Sequence, residues 1–297
     1  MSVAADWAWY PFGQSKTIFL IRHAQGHHNV AGEKDIAAYK SWDWADASLT
    51  PLGFSQTRSL RRHLAQLSPA PRLDLVVVSP LTRTLQTACA VFGTPADEKP
   101  PSAGDQQAAP VLMLPSDEAP GFTSSGAPPF VATELCREHY GLHPCDARQS
   151  LSHYAKTFPA VDFSQVESEE DVLWKPDIRE SDDDLLERSH HFVKWLLQRP
   201  EERIAVVTHS GFLHALLSHA GHDCPPPVQD YLRTGFRNCE LRVLTLANKR
   251  NGSVAPTSIG LNFPGGHPSG PSAGSDLLDD VEGTVKEQEA SDDANKS

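Results

Sequence analysis

An unbroken run of apolar and β-branched residues, Thr17-Ile18-Phe19-Leu20-Ile21, stops abruptly at Arg22-His23. A strand with one wet face alternates in polarity. A strand apolar at every position is covered on both faces, as in a parallel sheet held between helices. The pattern recurs twice. Leu73–Val78 breaks at Ser79-Pro80, and Arg203–Thr208 breaks at His209-Ser210-Gly211. Helical patterns separate these runs. Thr50-Pro51 pairs an N-cap oxygen with a first-turn proline, and Leu60, Leu64 and Leu67 follow at helical spacing. Ser79-Pro80 reads as a second such start, with Leu81, Leu85, Ala88 and Phe92 on one face behind it. Ser181, with Asp182, Asp183 and Asp184 in the first turn, opens a third helix striped by Leu185, Phe192 and Leu196. Phe212–Ala220 reads as a helix and Cys239–Leu246 as a further strand. Strands alternating with helices specify an α/β fold, a Rossmann-like three-layer α/β/α arrangement on a mainly parallel sheet.

Composition limits what such a chain does. The 297 residues carry 26 basic and 38 acidic side chains, a net charge of −12. That balance argues against nucleic acid or an anionic membrane surface as partner. The charge is uneven, since residues 276–297 hold eight acids and two lysines. The expected organisation is one domain over 1–255, with a flexible, cap-like insertion at 93–130 rich in Pro, Ala, Ser and Gly. Val111–Leu114 is a candidate strand inside that insertion, and 256–297 reads as a disordered acidic tail. Trp7, Trp9, Tyr10 and Phe12 suggest an aromatic arm packed on the domain. The five cysteines are scattered and form no Cys-x-x-Cys pair, which fits a reducing compartment. No apolar run approaches membrane-spanning length, and Met1–Gln14 has neither a secretory nor a transit-peptide pattern, so a cytoplasmic location is expected.

A parallel sheet places all its strand ends of one sense on one edge, where open α/β sheets bind ligands. Arg22, His23, Arg83 (in the first turn after Ser79-Pro80) and His209 then converge. Two guanidinium forks suit a phosphoryl group. One imidazole can attack phosphorus, and the other, if protonated, can donate to the equatorial oxygens. Each residue alone has an ordinary reading, as a surface basic pair, a capping histidine or a helix charge; it is the joint placement that points to chemistry. No Walker-type glycine loop occurs, and no cofactor is expected. His27, His28, His190, His191, His219 and His222 invite a metal reading, but no carboxylate or Cys stands at ligand spacing around the last pair, and no metal is expected.

The chain resembles the histidine phosphatases of the phosphoglycerate mutase-like branch. The resemblance rests on Arg22-His23-Ala24, Leu49-Thr50-Pro51-Leu52-Gly53, Ser79 to Thr87 and Val207 to Gly211, in that order over residues 16–246. Leu135–Asp146 resembles the plant-type members more closely. The resemblance implies that His23 forms a phosphohistidine. It implies that Arg22, Arg83, His209, Asn29 and the Gly211 N–H contact the phosphate, and that a glutamate protonates the leaving oxygen. Gly26 stands where Ser or Thr is usual, and the glutamate slot falls on Arg137, flanked by Glu138, which is preferred, and Glu134. The implied activity is hydrolysis of a small phosphorylated metabolite, as in carbohydrate metabolism. Phosphoglycerate mutase chemistry and non-catalytic phospho-ligand binding are the alternatives. Oligomeric state is not legible.

Overall fold

The computed structural model describes residues 15–97, 109–222 and 224–247 and the backbone of 255–256. The aromatic arm and the acidic tail from 257 lie outside the described residues.

In chain order the elements are β1 (Ser15–Arg22), α1 (His27–Lys34), α2 (Pro51–Gln66), β2 (Leu75–Val78), α3 (Thr82–Phe92), β3 (Thr94–Pro95), β4 (Val111–Met113), β5 (Phe122–Thr123), β6 (Phe130–Thr133), α4 (Leu151–Thr157), β7 (Val161–Gln165), α5 (Asp182–Gln198), β8 (Arg203–Thr208), α6 (Ser210–Ser218), α7 (Pro226–Arg233), β9 (Leu241–Ala247) and β10 (Ala255–Pro256). The main sheet runs β10-β9-β1-β8-β2-β6-β7. The five strands β1, β8, β2, β6 and β7 are mutually parallel, with Leu20 beside Val206 and Val206 beside Val77. At one end β9 runs against them, and β10, antiparallel to β9, returns to their sense.

The expected burial on both faces is observed. Phe19, Ile21, Val76 and Val78 point to one side, where they meet Leu60 of α2, Leu85 and Ala88 of α3 and Tyr154 of α4. Ile18, Leu20, Leu75 and Val77 point to the other, against Leu185, Phe192 and Leu196 of α5, Phe212 of α6 and Leu232 of α7. Three layers result, α/β/α. Of the stretch 93–130, the described residues hold a small antiparallel sheet, β3-β5-β4, whose Leu112, Met113 and Phe122 enter the first of these cores.

The Thr50 cap forms as read, its hydroxyl accepting from the Gly53 N–H at 3.0 Å. A side chain at Gly53 would bring a Cβ within 2.2 Å of the Gln25 carbonyl, so this helix start presses against the loop after β1. Ser181 likewise caps α5. Ser79-Pro80 does not start α3. The helix begins at Thr82, whose N–H and hydroxyl both donate to Asp46, at 2.8 and 2.6 Å. A carboxylate from a distant loop supplies the cap, which leaves the Ser79 hydroxyl for other work. α6 starts two residues earlier than read, and the strand expected from Cys239 starts at Leu241, because the Cys239 N–H turns back to the Arg22 and His23 carbonyls.

Candidate active site

The tips of β1, β8 and β2 deliver three polar groups to one edge. His23 follows β1, His209 caps the start of α6 after β8, and Ser79 follows β2. The His23 and His209 rings lie 5.2 Å apart, inclined by 59°. Both are buried, at 2% and 0% exposure, with Arg22 at 3% and Arg83 at 1%. The sequence-predicted histidines and arginines therefore share one buried region.

The tautomer of His23 follows from its partner. Nδ1 lies 2.8 Å from the Ala24 carbonyl, and a carbonyl only accepts, so Nδ1 carries the hydrogen and Nε2 keeps its lone pair. The backbone is pinned as well. The His23 N–H donates to the Thr208 carbonyl at 2.8 Å, and the Asn238 side-chain amide donates to the His23 carbonyl at 3.2 Å. Burial, and then the charges of Arg83 and Arg22, push the His23 imidazolium well below its ordinary range. Burial and Arg83 do the same to His209. Both rings are neutral near pH 7.

His209 Nε2 lies 2.7 Å from the Ser79 hydroxyl, while its Nδ1 is buried without a partner. Arg83 bonds the Cys145 carbonyl at 2.5 Å and Asp146 Oδ1 at 2.7 Å. Asp146 also accepts from Arg179 at 2.8 Å. Burial alone would raise the Asp146 carboxyl, but Arg179 and Arg83 hold it well below the usual carboxylate range. Arg22 donates to the Phe236 carbonyl at 2.8 Å. Asn29 Oδ1 accepts from the Gly26 N–H at 2.9 Å, and its amide nitrogen donates to His28 Nε2 at 3.1 Å. The His28 hydrogen therefore sits on Nδ1. The His28 ring is 5.4 Å from His23 and is pushed neutral by burial, Arg83 and His23.

The Glu138 carboxylate accepts from the N–H groups of Gly211 and Phe212, at 2.9 and 3.1 Å, and of His139 at 3.1 Å. The expected Gly211–phosphate contact is thus redirected: that amide is engaged by Glu138, because the first turn of α6 offers free N–H groups and a buried carboxylate takes them. Glu134 is engaged elsewhere, bonding Arg137 at 2.9 Å and Arg148 at 2.7 Å. Arg137 also pairs with Asp171, so these charges tie residues 134–148 to 168–171.

Several partners were not singled out in the sequence as members of the site: Ser79 on His209, Asp146 on Arg83, Asn238 on His23, and His28 as a third imidazole. His28 stood out only as a metal candidate. Among the described residues no cluster of three or more His, Cys, Asp or Glu is arranged for a metal ion, and no helix is long and apolar enough to cross a membrane.

A buried pair of neutral imidazoles flanked by two guanidinium groups, at the carboxyl edge of a parallel sheet, can bind and transfer a phosphoryl group. Comparison with known proteins agrees. The chain is 45% identical over 261 residues to a phosphoglycerate mutase-like protein of Arabidopsis thaliana, covering 88% of this chain and 95% of that one. It is 43% identical over 280 residues to phosphoglycerate mutase-like protein 1 of the same plant, covering 94% and 98%. The family description matching residues 18–100 and 152–257 is the histidine phosphatase superfamily (branch 1), and it is to this superfamily that the chain belongs.

Proposed function

We propose that the protein is a phosphoric monoester hydrolase working through a phosphohistidine on His23. The observation that carries this reading is the His23 ring: Nδ1 is held by the Ala24 carbonyl, which leaves the Nε2 lone pair free beside His209. Nε2 attacks phosphorus, the bond to the ester oxygen breaks, and Glu138, which must enter this step as the protonated acid, gives that oxygen its proton. Water then attacks the phosphohistidine, the N–P bond breaks, and Glu138 takes back a proton. Arg22 and Arg83 neutralise the equatorial oxygens, Asn29 orients them, and His209 donates to them once the charge of the arriving dianion has led it to take up a proton from solvent. Glu138 is preferred to Glu134 because both oxygens of Glu134 are bonded to arginine. The protein would act on a small phosphorylated metabolite in the cytoplasm.

The names of the Arabidopsis relatives favour a second reading, in which the phosphoryl group returns to a phosphoglycerate instead of passing to water. Release of inorganic phosphate, measured against 2-/3-phosphoglycerate interconversion, separates the two. His23→Ala is expected to abolish both activities and to remove the acid-labile, base-stable phosphate trapped on the wild-type chain. Turnover surviving in His23→Ala refutes the phosphohistidine.

A further inference from the structure

Large apolar side chains exposed to water are few among the described residues, and their positions are not scattered. Ile36, Trp42, Val172, Leu173 and Ile178 are exposed, with Trp42 at 64% and Ile178 at 62%; only Leu114 lies elsewhere. All five belong to two segments, 24–49 and 166–181, which leave the carboxyl ends of β1 and β7. That is the edge carrying His23 and His209.

Ring contacts tie this apolar surface to the reacting imidazole. Trp42 meets Trp174 edge to face at 5.3 Å. The Trp174 indole N–H donates to the His143 carbonyl at 2.9 Å. His143 stacks on Tyr39 at 5.7 Å, Tyr39 meets His28 at 6.1 Å, and His28 lies 5.4 Å from His23. Both segments are also fixed to residues 142–146: the Leu142 N–H donates to the Lys175 carbonyl and Arg179 holds Asp146, while the Asp46 N–H donates to the Pro144 carbonyl.

The charge around the apolar surface is opposite to that inside the site. Residues 24–49 and 166–181 expose seven carboxylates and three lysines. A single phosphoryl group is drawn to the buried arginines, whereas a second anionic group on the same molecule would meet a negative rim. Exposed aromatic and aliphatic side chains concentrated on two segments at one sheet edge are what a binding surface presents. Its place on the sheet edge that carries His23, joined to that ring through His143, Tyr39 and His28, makes the alcohol half of a bound ester its natural occupant.

We propose that the site takes phosphomonoesters whose alcohol is long, apolar and uncharged, laid against Trp42, Trp174 and the neighbouring aliphatic side chains, and discriminates against esters bearing a second anion, phosphoglycerate among them. This specificity rests on the phosphatase reading above. The apolar half contributes to transition-state binding by losing water to the indoles, and the phosphoryl half is fixed by the buried guanidinium groups.

The test uses the full chain and esters of matched leaving groups. n-Octyl and ethyl phosphate both release a primary alkoxide, so their kcat/KM ratio reports chain binding; octyl is expected to lead by about tenfold. Trp42→Ser should collapse that ratio towards one, and Trp42→Phe should keep most of it. 3-Phosphoglycerate should fall about tenfold below glycerol 3-phosphate at low ionic strength, with the gap closing at about 0.5 M salt. A ratio near one in the wild type, or one unchanged by Trp42→Ser, overturns the proposal and leaves the patch to a protein partner or another part of the chain. Hydrolysis without chain-length preference overturns the specificity alone; no hydrolysis of any ester overturns the phosphatase reading and the specificity with it.

Discussion

Asp146→Asn isolates the ion pair that holds Arg83 in place. The substitution keeps the shape of the side chain and removes one charge. The Arg83 and Asp146 side chains are 2% and 4% exposed, so little water can replace what is lost. Breaking one half of a buried pair costs about 3–5 kcal/mol, because the remaining charge is stranded. Arg179, the other partner, is 20% exposed and recovers part of its hydration. The lower end, ~3 kcal/mol at pH 7, is therefore expected, a large share of the roughly 5–15 kcal/mol of an ordinary domain. Urea unfolding of wild type and variant measures it. The pH dependence has a definite sign. The folded carboxyl of Asp146 lies below its unfolded value of 3.8, so its contribution is present above that pH and fades as pH falls through the folded value. The wild-type advantage should hold from pH 7 to 4 and shrink below. Orthovanadate should stabilise the variant more than the wild type, since an oxyanion beside Arg83 replaces part of the missing charge. A loss under about 1 kcal/mol at pH 7 refutes the picture of a dry, mutually dependent pair.

Two further outcomes follow from the same region. On the phosphohistidine reading attack requires neutral His23, whose imidazolium is pushed well below 6.5 by burial, Arg83 and Arg22, so kcat/KM should fall on the acid side with a half-point below 6.5 once substrate ionisation is corrected for; a half-point above 7 contradicts it. Arg137→Ala strands Glu134 and Asp171 around a fully buried guanidinium site and should cost about 3–5 kcal/mol, read as a lowered unfolding midpoint.

What the sequence discloses about this molecule depends on how local the physics is. β1, β2 and β8 are readable because both faces are buried, which forces every position apolar. The starts of α2 and α5 are readable because Thr50 and Ser181 cap their own helices. α3 misleads, because its cap comes from Asp46, thirty-six residues upstream. β7 escapes notice because it is an edge strand with only Val161 buried, and α4 because seven residues do not build a stripe. α1 has almost no amphipathic face and contains Gly32, where an added Cβ would overlap the Tyr39 ring. The site follows the same rule. Groups at strand tips are predictable from the pattern, whereas Asp146 on Arg83 and Asn238 on His23 are set by tertiary contacts across 63 and 215 positions.

The two neighbouring imidazoles resolve a conflict that a single one could not. A dianionic ligand is held best by a ring that has taken up a proton, while nucleophilic attack needs a ring that has not. On the proposed reaction, an arriving dianion brings two charges to a region where one of the two guanidinium groups, Arg83, is already paired with Asp146, and this favours uptake of a proton from solvent as it enters. His209, with its free Nδ1, can accept that proton, while the Ala24 carbonyl holds the His23 hydrogen on Nδ1 and leaves the lone pair on Nε2. On the proposed reading affinity and reactivity fall to different rings, and uptake of hydrogen ions on filling is the signature expected of that arrangement.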